Sequence, residues 1–173
     1  MSMTKKVALV VANSGFQQDE YHGTYNALVK AGVHVTIASD KKGEAVAHDG
    51  STVHVDMVID DVKPAAVDGI FLIGGRGALK HLDTPVMHKL LNEAMATGKA
   101  YGAICISPRI LAKAQVLKGK KATCWDGDGL AKEVLEAQGV IFVNEPVVTD
   151  GKIITANGPL AATEFGQAIV KLL

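Results

Sequence analysis

The segment Ala103-Ile104-Cys105-Ile106-Ser107-Pro108 places a thiol between an apolar run and the start of a helical stretch. The residues two positions before and after the cysteine, Ala103 and Ser107, are small. That is the steric demand of a nucleophile elbow, a strand-to-helix turn too sharp for bulky neighbours. A helix that follows such a turn points its amino end at the sulfur and favours the thiolate. The competing reading is a buried cysteine used as a small hydrophobe. That second reading suits Cys124, which lies in Ala122-Thr123-Cys124-Trp125 with no elbow around it.

Gly74-Gly75-Arg76-Gly77 offers free backbone N–H groups at another strand end. It is not a dinucleotide fingerprint. It follows the wrong strand, and the turn after the first strand, Asn13-Ser14-Gly15-Phe16, lacks the glycines a pyrophosphate requires. Two readings stay open: a tight turn, or an oxyanion hole beside the thiol. Glu20 opens the first helix. On the surface such an acid complements the helix dipole; buried beside a thiol, it would have a raised pKa and shuttle a proton. The histidines His22, His34, His48, His54, His81 and His88 form no metal motif. His81 and His88 can share a helix face, but no carboxylate or cysteine completes a site there. All six are read as surface residues, with His22 the one expected near the pocket. Lys118-Gly119-Lys120-Lys121 reads as a solvated turn.

These groups need strands and helices to position them. Residues 7–12 form a continuous apolar run, as a buried parallel strand would. Helical spacing follows over 20–31 with Gly32 as the stop, then a strand over 33–38. Short alternating segments between 39 and 60, punctuated by Gly43 and Asp49-Gly50, predict a small β-hairpin excursion. Further strands are expected over 67–73, 100–104 and 140–143, and helices over 85–96, 108–114, 130–138 and 160–173. Asp150-Gly151 between two β-prone runs marks a hairpin. Alternation of this kind predicts an α/β fold, an open, doubly wound and mostly parallel sheet covered on both faces. Ligands of such sheets bind beyond the carboxyl ends of the strands.

The 173 residues read as one domain spanning 1–173, with a globular composition of 48% hydrophobic and 21% charged residues. Eighteen basic side chains balance eighteen acidic ones, which argues against a broad grip on nucleic acid or an anionic membrane. Two cysteines are too few for a disulfide framework. The first residues show no signal-peptide pattern, and no apolar run is long enough to span a bilayer, so a cytoplasmic protein is expected.

The chain resembles the DJ-1/ThiJ/PfpI superfamily over essentially its whole length. The matching pieces are Phe16-Gln17-Gln18-Asp19-Glu20, Ile73-Gly74-Gly75-Arg76-Gly77, Ala103-Ile104-Cys105-Ile106-Ser107-Pro108 and Gly119-Lys120-Lys121-Ala122-Thr123, with a tail from Ile154 to Phe165 similar to the deglycase branch. The resemblance implies a flavodoxin-like sandwich that assembles as a homodimer or a higher homo-oligomer. It implies that Cys105 is the reactive cysteine, that Glu20 is its carboxyl partner, and that Gly75 and Ile106, with Gly74 adjoining, donate backbone N–H groups to an oxyanion. It also implies that no cofactor or metal is used.

The sequence departs from the family at one important place. PfpI-type members follow the cysteine with histidine, and here that position is Ile106. In the deglycase branch a histidine lies further along, and its matching position is Trp125. Trp125 and His22 therefore stand as the remaining pocket candidates. Peptide hydrolysis needs an acid to protonate a poor amine leaving group, which Ile106 cannot supply. Glyoxalase chemistry needs only proton movement between adjacent carbons. The leading expectation is a cysteine-dependent, stress-protective glyoxalase or deglycase that acts on small dicarbonyls (methylglyoxal to lactate) or on glycated substrates. A redox-sensing, chaperone-like stress protein comes second, and a PfpI-type peptidase third.

Overall fold

Strand β1 (Lys6–Val10) alternates its side chains between two apolar layers, with Ala8 and Val10 in one and Val7 and Leu9 in the other. The same division runs along β7 (Gly69–Leu72), where Ile70 and Leu72 oppose Phe71, and along β8 (Ala100–Ile104), where Tyr101 and Ala103 oppose Ile104. Both faces of the sheet are thus buried, which is why these strands read as unbroken apolar runs rather than as an alternation. The computed structural model describes residues 3–173.

In chain order the remaining strands are β2 (Ser14–Phe16), β3 (His34–Ser39), β4 (Gly43–Ala47), β5 (Thr52–Val55), β6 (Met57–Val58), β9 (Lys121–Ala122), β10 (Ile141–Phe142), β11 (Val147–Asp150) and β12 (Ile153–Ala156). The helices are α1 (Gln18–Lys30), α2 (Ala78–Leu82), α3 (Pro85–Ala96), α4 (Pro108–Lys113), α5 (Ala131–Glu136) and α6 (Ala162–Leu172). The main sheet has the order β11-β12-β8-β7-β1-β3-β6, parallel throughout except for the β11–β12 pair. β1 lies between β3 and β7, so the chain leaves it first to one side and later returns on the other. The crevice this reversal opens at the strand carboxyl ends is where open α/β sheets bind ligands. Among the described residues, no helix is long and apolar enough to cross a membrane.

Three of the differences from the sequence expectation have local causes. The strand expected over 140–143 is short, and as β10 it pairs with β9 in a separate two-stranded ladder. The main-sheet edge beyond β12 is already covered by β11. The hairpin loop is Gly151-Lys152 rather than Asp150-Gly151, because Asp150 pairs with Ile153 and its carboxylate accepts from Lys121 N at 2.8 Å. Glycine at the first loop position, with φ of 60°, suits a tight two-residue turn. Helix α1 begins two residues early because Gln17 caps it, its side chain accepting from Glu20 N at 2.8 Å. The expected hairpin excursion is β4 and β5, joined by β2 into a three-stranded sheet.

Candidate active site

Cys105 has φ of 64°, the left-handed region that side chains other than glycine rarely occupy. Its neighbours impose that conformation. Cys105 N donates to Ala156 O at 2.9 Å, and Cys105 O accepts from Trp125 N at 2.7 Å. Ser107 Oγ, fully buried, donates to Ile73 O at 2.8 Å and ties the elbow to the end of β7. Strain held by surrounding bonds in this way is typical of a functional turn. The turn also breaks the strand alternation, so that Cys105 joins Ile104 in the layer containing α1.

Glu20 reaches the same point from α1 and is completely buried. Its Oε2 accepts from Gly74 N at 2.8 Å, while Gln17 N donates to Gly74 O at 3.0 Å, so loop and helix start hold each other. Oε1 is buried with no hydrogen-bond partner, and the Cys105 thiol adjoins the carboxyl. Gly74 has to be glycine: a Cβ there would stand 2.6 Å from Cys105 Cβ and 2.8 Å from Glu20 Oε2. Gly75, with φ of 123°, is pressed against the backbone of residues 15–17 and has no room for a side chain.

Burial drives the electrostatics. It pushes the Glu20 carboxyl up to about 7, against the opposing pull of the Cys105 thiol and the Gly74 N–H. It also pushes the Cys105 thiol up, and a Glu20 carboxylate beside it adds to the shift, while the N–H groups of Ile106 and Gly75 oppose it. The thiolate expected from the helix amino end is therefore not favoured: α4 is a short helix, and desolvation outweighs its dipole. The pair shares one buried site, so negative charge on either member disfavours it on the other. The N–H groups of Gly75 and Ile106, which act on the sulfur, are placed to receive an oxygen that develops charge next to it.

These groups line a cavity of about 330 Å³ with Gln17, His48, Arg76, Leu79, Trp125 and Pro159. Trp125 is part of this wall, and the Gly127 backbone lies beneath its indole. His22 is not. It is exposed on α1 with its ring against Tyr21 at 5.1 Å, outside the lining residues. The imidazole at this cavity is His48, read from the sequence as a surface residue. Its backbone N donates to Phe16 O at 2.9 Å, so the three-stranded excursion carries it back to the pocket. Nothing local in the sequence signals that return. Cys124 lies in the opposite apolar layer, beside the guanidinium of Arg109, which makes a two-pronged bond to Asp128.

A strained cysteine on a strand-to-helix turn, a buried glutamic acid and two converging N–H groups define a thiol-centred site on a doubly wound sheet. The DJ-1/PfpI family profile matches residues 5–172, and the chain belongs to that family. A deglycase of Pyrococcus horikoshii is 33% identical over 172 residues, covering 97% of this chain and 99% of that protein. A glutathione-independent glyoxalase of Caenorhabditis elegans is 28% identical, covering 100% of this chain and 91% of its own. Among solved structures, Drosophila melanogaster DJ-1beta matches with a TM-score of 0.88 and 27% identity, covering 98% of this chain and 90% of that one. A ThiJ/PfpI domain protein from Brachyspira murdochii has the same fold, with a TM-score of 0.92 at 24% identity, covering 99% and 97% of the two chains.

Proposed function

We propose that the protein is a cysteine-dependent glyoxalase or deglycase that acts, without a cofactor, on reactive dicarbonyls or their adducts. The observation that carries this reading is the convergence of Cys105, Glu20 and the N–H groups of Gly75 and Ile106 on one cavity wall. Relatives named deglycase and glyoxalase point the same way.

In this mechanism the Cys105 sulfur bonds to the aldehyde carbon and its proton passes to the Glu20 carboxylate. The carbonyl π pair becomes an oxyanion held by the two N–H groups. Glu20 returns its proton to that oxygen and then removes the hydrogen left on the former aldehyde carbon. The freed pair forms an enediolate with the neighbouring carbonyl, whose oxygen takes the charge. Glu20 then delivers the proton to that neighbouring carbon, and passage of the hydroxyl proton from the first oxygen to the second leaves a thioester of the 2-hydroxy acid. Water cleaves the thioester, releasing the 2-hydroxy acid and the free thiol. The net change is dicarbonyl plus water to hydroxy acid, with one carbon oxidised as its neighbour is reduced, so no external oxidant is needed. A carboxyl near 7 suits both proton removal and proton return at neutral pH.

A second reading, a redox-sensing or chaperone-like stress protein with slow turnover, draws support from the upward push on the Cys105 thiol. Methylglyoxal consumption with lactate formation separates the two. Cys105→Ser and Glu20→Gln are each expected to lower turnover at least a hundredfold, while Cys124→Ser keeps most of it. Activity that survives Cys105→Ser, or falls equally in Cys124→Ser, overturns the assignment. No turnover in wild type, with aggregation suppression that survives Cys105→Ser, favours the second reading.

A further inference from the structure

The loop over residues 74–77 directs three of its backbone N–H groups to acceptors. Gly74 N donates to Glu20 Oε2, Arg76 N donates to His48 Nε2 at 2.7 Å, and Gly77 N donates to Gly15 O at 3.0 Å, while the Gly75 N–H lies beside the Cys105 thiol and favours its charged form. Of these acceptors, His48 is an imidazole, the side chain that changes charge near neutrality. A ring nitrogen can accept a bond only through a lone pair. The Arg76 contact therefore requires a neutral ring with its proton on Nδ1. Protonation of the ring would set one N–H against another and abolish the contact.

The consequence falls on Gly75. The Arg76 N–H belongs to the peptide that leaves Gly75, and the Gly75 N–H to the peptide that enters it. The residue between them has no Cβ and a φ of 123°, a backbone conformation open to glycine. The entering peptide is also held at Gly74 O by Gln17 N at 3.0 Å, and the leaving peptide at Gly75 O by Ala78 N at 3.1 Å, so the bond to His48 is one of the ties that set the direction of these N–H groups. We propose that His48 is a positioning residue for the thiol site: its neutral ring holds Arg76 N–H and so helps keep the Gly75 N–H aimed at Cys105, and its protonation removes that tie and shifts both N–H groups. This rests on the reading of Cys105 as the reacting group. The other charged or titratable groups that line the cavity with His48 are Glu20, Cys105 and Arg76, and Asp49, with His22 near it, follows His48 in the turn.

Nitrogen-15 NMR of wild type tests the arrangement without reference to turnover. At pH 8 the His48 ring is expected to carry its proton on Nδ1. On acidification, the Arg76 and Gly75 amide signals should move with the same midpoint as the His48 ring. In His48→Gln, whose carboxamide oxygen replaces the acceptor but does not titrate, that step should vanish while the Glu20 step remains. A ring proton on Nε2, or amides that ignore the ring, overturns the proposal even if Cys105 proves catalytic. In dicarbonyl turnover, His48→Phe should lower kcat about tenfold or more at pH 8 with a smaller change in KM, and His48→Gln should recover most of that loss. The acid limb of log(kcat/KM) should contain one ionisation fewer in His48→Gln than in wild type. An unchanged limb, or equal losses in the two variants, overturns the positioning role. If Cys105→Ser keeps full activity, the functional reading fails while the NMR result still decides the His48 contact.

Discussion

Cys105 and Cys124 stand on opposite faces of the central sheet, although Trp125, the residue after Cys124, donates its N–H to Cys105 O at 2.7 Å. The backbones touch, but the thiols point into different apolar layers. A disulfide needs Cβ atoms about 4 Å apart with converging vectors, which this arrangement denies.

Mild peroxide is therefore expected to oxidise Cys105, on the cavity wall, while Cys124 stays a thiol. The first equivalent gives the sulfenic acid and water, and the second gives the sulfinic acid and water. A protonated Glu20 can donate to a sulfinate oxygen, and Glu20→Asp should shift the product toward easily reduced sulfenic acid by lengthening that bond. Peptide mass spectrometry should show two added oxygens on the Cys105 peptide. A Cys105–Cys124 disulfide as the main product would contradict the geometry. Because the thiol is pushed up, the rate should keep rising above pH 8.

Glu20 should make the protein less stable as pH rises. A carboxyl moved from 4.5 to about 7 by burial binds its proton more tightly in the folded chain than in the unfolded one. Stability is then fully present below pH 4.5 and is lost as pH climbs through 7, by about 3 kcal/mol at most. Glu20→Gln removes the titration. Its unfolding free energy should exceed that of wild type at pH 8.5 by about 2–3 kcal/mol, and the difference should close below pH 4.5. Denaturant melts across this range check it, and parallel curves would rule out a buried, titrating Glu20.

Ser107 should prove more than a small residue. Its hydroxyl bonds Ile73 O at 2.8 Å with no exposure to solvent, linking the elbow to the loop that carries Gly75. Ser107→Ala removes that bond at little change of volume, with an expected cost of about 1–3 kcal/mol in urea unfolding. Turnover should also fall, through kcat more than KM. A variant as stable and active as wild type would show that the link is incidental.

Trp125 and the apolar residues around it should set which dicarbonyl is preferred. A cavity of about 330 Å³ walled by Leu79, Ile106, Trp125 and Pro159 exceeds what a three-carbon substrate fills. An arylglyoxal is expected to have a lower KM than methylglyoxal. Trp125→Ala should raise the KM for the arylglyoxal about tenfold, in line with ~1–1.5 kcal/mol for the loss of one aromatic contact. The methylglyoxal KM should change less than threefold, and an equal effect on both substrates would remove Trp125 from substrate contact.

Much of this molecule is legible along the chain. The apolar strand runs, the glycine stops, the small residues around Cys105 and the acid at the start of α1 follow local rules of burial, capping and steric fit. Those rules operate within a few residues of each other. They identify a parallel sheet covered on both faces, an elbow and a candidate thiol. Tertiary structure decided the rest, because those features depend on groups far apart in sequence. Glu20 and Gly74 meet across 54 positions, and only complete burial at that meeting converts an ordinary helix-start acid into one that titrates near neutrality. Desolvation also set the direction of the Cys105 thiol against the helix dipole, which no local pattern could weigh. His48 reaches the cavity through a three-stranded excursion and meets Arg76 N–H across 28 positions, while His22, closer to Glu20 in sequence, points away. Spacing along a chain names the chemistry a residue can do; packing decides which residues share a cavity and how much water remains with them.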